Sequence, residues 1–208
     1  MKLYSNEIVF RGHPDKVCDQ ISDALLDEYL KQDEHARCAI EVMGGKDKIF
    51  ITGEVTSTAK VDIESVVKRV LRDIGYSDEY EIVNNLGAQS RDIALGTNEK
   101  VGGAGDQGMM FGFACDDTEE LLPTAMVILQ RLSRWYDEER KTCPYLYPDG
   151  KAQITGYYDE DMKLQKIKYF TISYQNDEQH REEMDKKIKK KCREICEEYE
   201  IEIEEFLI

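Results

Sequence analysis

The segment Gly12-His13-Pro14-Asp15-Lys16 constrains the local structure of the chain more strongly than any other segment of the sequence. Pro14 has a fixed φ angle that suits the first turn of a helix, so we expect the chain to enter a helix near Asp15. Backbone N–H groups at a helix N-terminus attract anions, which places His13 and Asp15 where a phosphate could bind. The pattern fits equally well a helix cap in which Asp15 accepts those N–H groups. From this segment alone both interpretations stay open.

Composition excludes several classes of protein. The 208 residues are 41% hydrophobic and 34% charged, which is typical of a water-soluble globular chain with one large or two small domains. No apolar run approaches the ~18 residues of a membrane span, and the N-terminus does not resemble a signal peptide. A net charge of −15 argues against nucleic acid or an anionic membrane as a partner. Six scattered cysteines predict reduced thiols in a cytoplasmic protein.

Hydrophobic periodicity in the first half predicts the order helix, strand, strand, helix, strand. We expect a helix from Asp15 to about Leu30, paired strands at Arg37–Met43 and Lys48–Val55, a helix that opens at Thr58–Asp62 and is closed by Gly75, and a strand near Tyr80–Asn84. Glu41 and Glu54 would then lie on paired strands. A carboxylate within such an apolar run is notable, because burying it unpaired is costly.

The second half predicts the order strand, helix, strand, strand, helix. We expect a strand at Met109–Cys115, a helix from Pro123 to about Glu139, strands at Ala152–Tyr158 and Lys166–Tyr174, a helix at Glu178–Tyr199 and a strand-like tail from Ile201. The fold class is therefore α+β, with two similar layers that each carry helices on one face of a sheet. We predict one domain over residues 1–115 and a second over 116–208.

Residues 87–108 lose this periodicity, and six of these 22 residues are glycine. Long loops inside compact domains are usually functional. We expect a mobile loop here, with a plain flexible connector as the alternative.

Seven motifs, in order and at similar spacing, resemble the S-adenosylmethionine synthetase (methionine adenosyltransferase) family. They are Gly12–Asp23, Gly53–Thr56, Val61–Ile63, Ile74–Tyr76, Gln89–Ile93, Gly103–Gly108 and Tyr145–Lys151. The resemblance covers essentially the whole chain and implies the fold of that family without its C-terminal half, since family members are nearly twice as long. The absent half carries further cationic and acidic ligands of the triphosphate, the metal and methionine.

The resemblance implies transfer of an adenosyl group from ATP to the sulfur of methionine. A thioether needs no general base, so catalysis depends on alignment and on neutralising the charge of the departing triphosphate. His13 is implied to contact ATP near that leaving group, and Lys151, preceded by Asp149 and Gly150, to hold ATP as a point charge. His13 and Lys151 are the implied catalytic residues.

The same resemblance implies the other ligands. Asp15 is implied as a carboxylate ligand of Mg²⁺ and Glu41 as a ligand of K⁺. Glu54 and Gln89 are implied to bind methionine, with Asp106 in the same pocket.

Three departures from the family pattern accompany these matches. Residues 89–102 correspond to a loop that closes over substrates, but it is shortened here and has Arg91 where proline is common. Arg11 replaces a usual glutamate, and Asn176 a common histidine.

Three interpretations are open for such a half-length chain. The first is one subunit of a split, hetero-oligomeric synthetase whose second polypeptide supplies the missing half. The second is a non-catalytic regulatory or nucleotide-binding paralogue of a full-length synthetase. The third is a fragment, or a minimal homo-oligomer active by itself. We also expect the sheet faces left bare by the missing half to be apolar.

Overall fold

A computed structural model describes residues 1–88 and 108–208, which form two compact units. Residues 1–13 and 112–208 make up one, the β1 unit, and residues 14–111 the other, the α1 unit. The described elements are β1 (Lys2–Val9), α1 (Pro14–Gln32), β2 (Arg37–Gly45), β3 (Lys48–Thr56), α2 (Ile63–Ile74), β4 (Glu81–Ala88), α3 (Thr124–Arg140), β5 (Leu146–Tyr158), β6 (Leu164–Asn176), α4 (Arg181–Glu197) and β7 (Ile203–Leu207).

These elements confirm the predicted α+β class. None of the helices in the described ranges combines the length and the apolar character needed to cross a bilayer.

In the α1 unit a three-stranded sheet packs one face against two helices. The strand order is β2-β3-β4, with β2 and β3 antiparallel and β4 parallel to β3. Ile49 and Ile51 of β3 are buried in the core with side chains from both helices, whereas Phe50 and Thr52 alternate to the other face and are exposed. The predicted helix ends are confirmed for α2: the Asp62 side chain accepts a hydrogen bond from Ser65 N, and Gly75 adopts the left-handed conformation after the last turn.

In the β1 unit the sheet has four strands in the order β1-β5-β6-β7. β5 pairs antiparallel with both β1 and β6, and β7 runs parallel to β6. α3 and α4 cover one face, where Leu132 and Ile188 join Ile154 and Phe170 in a common core. Both units therefore use the order helix, strand, strand, helix, strand, and β1 is an addition to the second of them.

No element was predicted for Lys2–Val9, where β1 forms. Conversely, the prediction of a strand at 109–115 is wrong: Met110 is 88% exposed, and the end of the run is held in a local loop by a hydrogen bond from Cys115 N to Leu121 O. An apolar run becomes a strand only where a neighbouring edge is available, and no described strand pairs with this one. The domain division at 115/116 stays a prediction.

The face of the four-stranded sheet opposite its helices is mixed rather than apolar. Ser5 and Thr155 hydrogen-bond to each other through their hydroxyls at 2.8 Å on this face. Leu3 on β1 and Leu207 on β7, the two edge strands, are exposed. The expectation of an apolar bare face is therefore wrong for this sheet.

Candidate functional site

Three backbone hydrogen bonds hold the segment after β1 beside β5. Phe10 N donates to Gly150 O at 2.8 Å and Gly12 N donates to Pro148 O at 3.1 Å. His13 N then donates to Phe10 O at 3.0 Å, which closes a tight turn. This turn carries the His13 imidazole to the strand that carries Lys151.

Two glycines make this approach possible. A Cβ on Gly12 would lie 2.3 Å from Pro148 Cβ, and one on Gly150 would lie 2.6 Å from the Phe10 ring. Contacts this short are not tolerated between carbon atoms, so a side chain at either position would force the two segments apart.

The two segments and β6 surround an open cleft of about 340 Å³. It is lined by His13, Asp149, Gly150, Lys151, Ser173, Tyr174 and Gln175. Lys151 and Ser173 are directly paired across β5 and β6, so both side chains lie on the same face of the sheet. An imidazole, an ammonium group and a hydroxyl suit an anionic, oxygen-rich ligand, and the Asp149 carboxylate can accept hydrogen bonds from ligand hydroxyl or amino groups.

The groups behind the cleft are anchored by hydrogen bonds. The Tyr174 hydroxyl donates to Asp185 at 2.6 Å, and its burial together with that carboxylate raises the pKa of Tyr174. Tyr174 therefore stays protonated as a donor. Arg11 and Arg140 both contact the Asp137 carboxylate of α3, at 3.5 Å and 2.7 Å respectively, which ties the residue before Gly12 to the helix.

The remaining predicted ligands belong to the α1 unit. Asp15 lies in the first turn of α1 and is exposed. Glu41 and Glu54 lie on the paired strands β2 and β3, as expected, but they are offset: Glu41 pairs with Thr52 and Glu54 with Ala39. Alternation along the strands puts both carboxylates on the face opposite the helices. Gln89, Asp106 and all of the predicted loop except Gly87, Ala88 and Gly108 lie outside the described residues.

The described residues offer single carboxylates, and not a preformed cluster, to a divalent cation. Within them, no three His, Cys, Asp or Glu side chains converge as a metal cluster. Mg²⁺ commonly binds through one or two carboxylates and completes its shell with phosphate oxygens and water, so one accessible carboxylate such as Asp15 is sufficient. Glu41, an exposed carboxylate on the residue paired with Thr52, offers the hard oxygen ligand that K⁺ would need.

Sequence reasoning missed the wall of the cleft that β6 provides. Ser173 and Gln175 were within or beside a predicted strand, and their alternation with Tyr174 was the available signal. Their position opposite Lys151 depends on the pairing register, and that register shifts at three places between β5 and β6. Irregular registers of this kind cannot be derived from hydrophobic periodicity.

Comparison with known proteins agrees with this architecture. Residues 1–94 match the family described as S-adenosylmethionine synthetase, N-terminal domain, and residues 101–207 match S-adenosylmethionine synthetase, central domain. An S-adenosylmethionine synthase from Clostridium tetani (strain Massachusetts / E88) is 42% identical over 210 residues, covering 90% of this chain and 54% of that protein. One from Nocardioides sp. (strain ATCC BAA-499 / JS614) is 40% identical over 199 residues, covering 85% of this chain and 50% of that protein.

The fold and the matched domains define an α+β chain built from the first two domains of a synthetase. It belongs to the S-adenosylmethionine synthetase family. The chain spans about half the length of the curated relatives it matches.

Proposed function

We propose that this chain is one subunit of a methionine adenosyltransferase that forms S-adenosylmethionine and triphosphate from ATP and methionine, and that water then hydrolyses the triphosphate to pyrophosphate and phosphate. The observation that carries the proposal is the shared cleft of His13, Asp149, Gly150 and Lys151, which are the residues implied to contact ATP. Its cytoplasmic location is part of the proposal. All six cysteines are free thiols, which is consistent with a reducing compartment.

The chemistry of the transfer matches the groups in the cleft. The sulfur lone pair of methionine forms a bond to C5′ of ATP, while the C5′–oxygen bond breaks and its electron pair leaves with the triphosphate. The positive charge forms on sulfur and the negative charge grows on the leaving oxygen. His13 donates a hydrogen bond to that oxygen and Lys151 offsets the phosphate charge, so both contribute more to the transition state than to bound ATP.

The other proposed ligands lie in the α1 unit. Asp15 would hold Mg²⁺, which would neutralise phosphate charge, and Glu41 would hold K⁺. The Glu54 carboxylate and the Gln89 amide suit the ammonium and carboxylate groups of methionine, with Asp106 beside them. Each of these assignments follows from the family resemblance and from the residue types.

We further propose that a second polypeptide supplies the ligands that the longer relatives carry beyond the matched half. The chain retains every ligand assignable to its own half, as expected for a working subunit. Separating two halves between elements removes a tether and its effective concentration but no contact of the site.

The test is a turnover assay with ATP, methionine, Mg²⁺ and K⁺, on the chain alone and on the chain co-expressed with the product of the neighbouring gene. Activity that appears only in the mixture supports a hetero-oligomeric enzyme. Full activity of the chain alone would contradict the need for a second polypeptide, and no activity in either sample, with ATP still bound, would favour the regulatory paralogue.

Two substitutions separate chemistry from folding. His13→Ala is expected to abolish transfer while the complex still assembles, and His35→Ala, at an exposed position, is the matched control that should keep full activity. Lys151→Met is likewise expected to abolish transfer. Its matched control is Lys163→Met, because Lys163 lies beyond the opposite end of β5. Loss of assembly in His13→Ala would assign that residue a structural role instead.

A further inference from the structure

The hydrogen-bond ladder between β5 and β6 is interrupted beside the cleft. Leu146 pairs with Asn176 and Gly150 with Tyr174, so residues 147–149 of β5 lie opposite the single residue Gln175 of β6. Such a bulge bends its strand and leaves backbone groups without ladder partners. Pro148 O, within this bulge, accepts the hydrogen bond from Gly12 N.

One buried side chain, that of Tyr136, hydrogen-bonds to the backbone where the ladder is interrupted. The Tyr136 hydroxyl of α3 lies 2.9 Å from Tyr147 O and 3.3 Å from Gln175 O, one carbonyl on each side of the interrupted ladder. Tyr136 is 1% exposed, so water cannot readily replace its hydroxyl as donor. The bulge is therefore fixed by a side chain from the helix layer in place of a strand-to-strand hydrogen bond.

The ring of Tyr136 also contacts the segment that leads to His13. Its centroid lies 4.7 Å from that of Phe10, whose N donates to Gly150 O and whose O accepts from His13 N. The Tyr136 side chain thus contacts all three segments that line the cleft: the segment after β1, the bulge of β5 and the end of β6.

We propose that Tyr136 is a positioning residue for nucleotide binding. Its buried hydroxyl fixes the bulge, and the bulge sets where Asp149 and Lys151 stand relative to His13. Tyr136 acts through these residues and does not contact the ligand. The proposal rests on the proposed function, because it takes ATP as the ligand of the cleft.

The experiment compares Tyr136→Phe with Tyr158→Phe in the full 208-residue chain. Tyr158 is a matched control because it is 3% exposed and its hydroxyl donates a partly buried hydrogen bond to Asn6 at 2.9 Å, at the far end of β5. Each variant keeps its ring and loses one buried hydroxyl. Backbone amide NMR signals are followed during titration with Mg·ATP, and hydrogen exchange is measured at the amides of Phe10 and Gly12.

We expect Tyr136→Phe to weaken Mg·ATP binding about tenfold or more, because the hydroxyl that donates to Tyr147 O and lies within hydrogen-bond distance of Gln175 O is lost and the bulge is displaced. Exchange at Phe10 and Gly12 should be faster than in wild type. Tyr158→Phe should keep wild-type affinity and wild-type exchange at these amides, even if its thermal midpoint falls as far as that of Tyr136→Phe.

The outcomes separate this proposal from the function on which it rests. If wild type binds Mg·ATP and both variants bind it with the same affinity, the positioning role of Tyr136 is overturned and the nucleotide function is not. Unchanged exchange at Phe10 and Gly12 in Tyr136→Phe overturns the role of its hydroxyl whatever the ligand. Failure of wild type to bind Mg·ATP both alone and in the co-expressed complex overturns the nucleotide function, and the exchange data then still decide whether Tyr136 holds the bulge.

Discussion

Gly12 is the residue at which the candidate site is most sensitive to a single added methyl group. Gly12→Ala would put a Cβ 2.3 Å from Pro148 Cβ, so the turn before His13 must move away from β5. Overpacking of this kind typically costs about 1–3 kcal/mol of folding free energy. Urea unfolding should show this loss, and Mg·ATP binding should weaken with it.

Gly112→Ala is the control for that substitution. A Cβ on Gly112, in the same unit, meets no atom within 4 Å. Its effect should stay within about 0.5 kcal/mol. Equal stability of the two variants would show that the Gly12 turn adjusts without strain.

Asp33 predicts a pH dependence of stability in the α1 unit. Hydrogen bonds from Thr58 N and the Ser57 hydroxyl, both at 2.8 Å, lower the pKa of Asp33 from 3.8 to about 2. Because the folded state holds the carboxylate below its ordinary pKa, the contribution of Asp33 is present above about pH 4 and is lost as the pH falls towards 2.

Thermal unfolding of wild type and Asp33→Asn should therefore differ at pH 6 and converge at pH 2. Asp27→Asn, an exposed substitution on α1, is the control. A difference between wild type and Asp33→Asn that does not change between pH 6 and pH 2 would contradict the assignment.

For single residues, the sequence predicted which side chains belong to the candidate site better than it predicted how they are arranged in space. The motifs that contain His13 and Lys151 are specific, and the structure brings these two residues into one cleft. The contributions of Ser173 and Tyr136 could not be foreseen, because both depend on the irregular register of β5 against β6. A bulge is a tertiary feature and leaves little trace in local composition.

Among the elements, α2 has the most clearly defined ends. Gly75 follows it with φ of 101°, and its N–H donates to the carbonyls of Leu71 and Arg72. Gly75→Ala should destabilise the α1 unit by about 1–2 kcal/mol, because a Cβ is disfavoured in the left-handed region.

The matched control for Gly75→Ala is Gly45→Ala, in the same unit, where an added Cβ meets no atom within 4 Å. Circular dichroism at 222 nm during urea titration measures both variants. A Gly75→Ala chain as stable as Gly45→Ala would mean that the helix end relaxes into another conformation.

α2, whose caps and apolar stripe lie in one segment, was predicted correctly. β1, which forms only by pairing with a strand far away in the sequence, was not. β1 lacks a clear apolar alternation and becomes a strand because β5, about 150 residues later, offers its edge. The 109–115 run shows the converse, since it has an apolar pattern and no described strand beside it. Pairing across long separations is the information that a single sequence lacks.

For the whole molecule, two separate cores predict separable unfolding. Trp135, the only tryptophan of the chain, packs against the core that contains Leu132, whereas Ile51 belongs to the other core. Leu132→Ala should lower the unfolding midpoint reported by tryptophan fluorescence, at a cost of about 2–5 kcal/mol. Ile51→Ala should leave that midpoint unchanged and shift only part of the far-ultraviolet dichroism transition.

An Ile51→Ala variant that shifts the tryptophan midpoint as far as Leu132→Ala would mean that the cores unfold together. Two layers were predicted from the repeated order of elements. The grouping of residues 1–13 with 112–208 was not, because it follows from the same long-range pairing of β1.

The pairing of β1 with β5 also has a consequence for biosynthesis. Residues 14–111 are continuous, so the α1 unit can fold as soon as that stretch has left the ribosome. Residues 2–9 emerge earlier, yet their partner residues 151–158 are translated only after the whole α1 unit. Residues 2–9 therefore have no strand partner during most of translation. The cleft that contains His13 and Lys151 is accordingly among the last features of the chain to form.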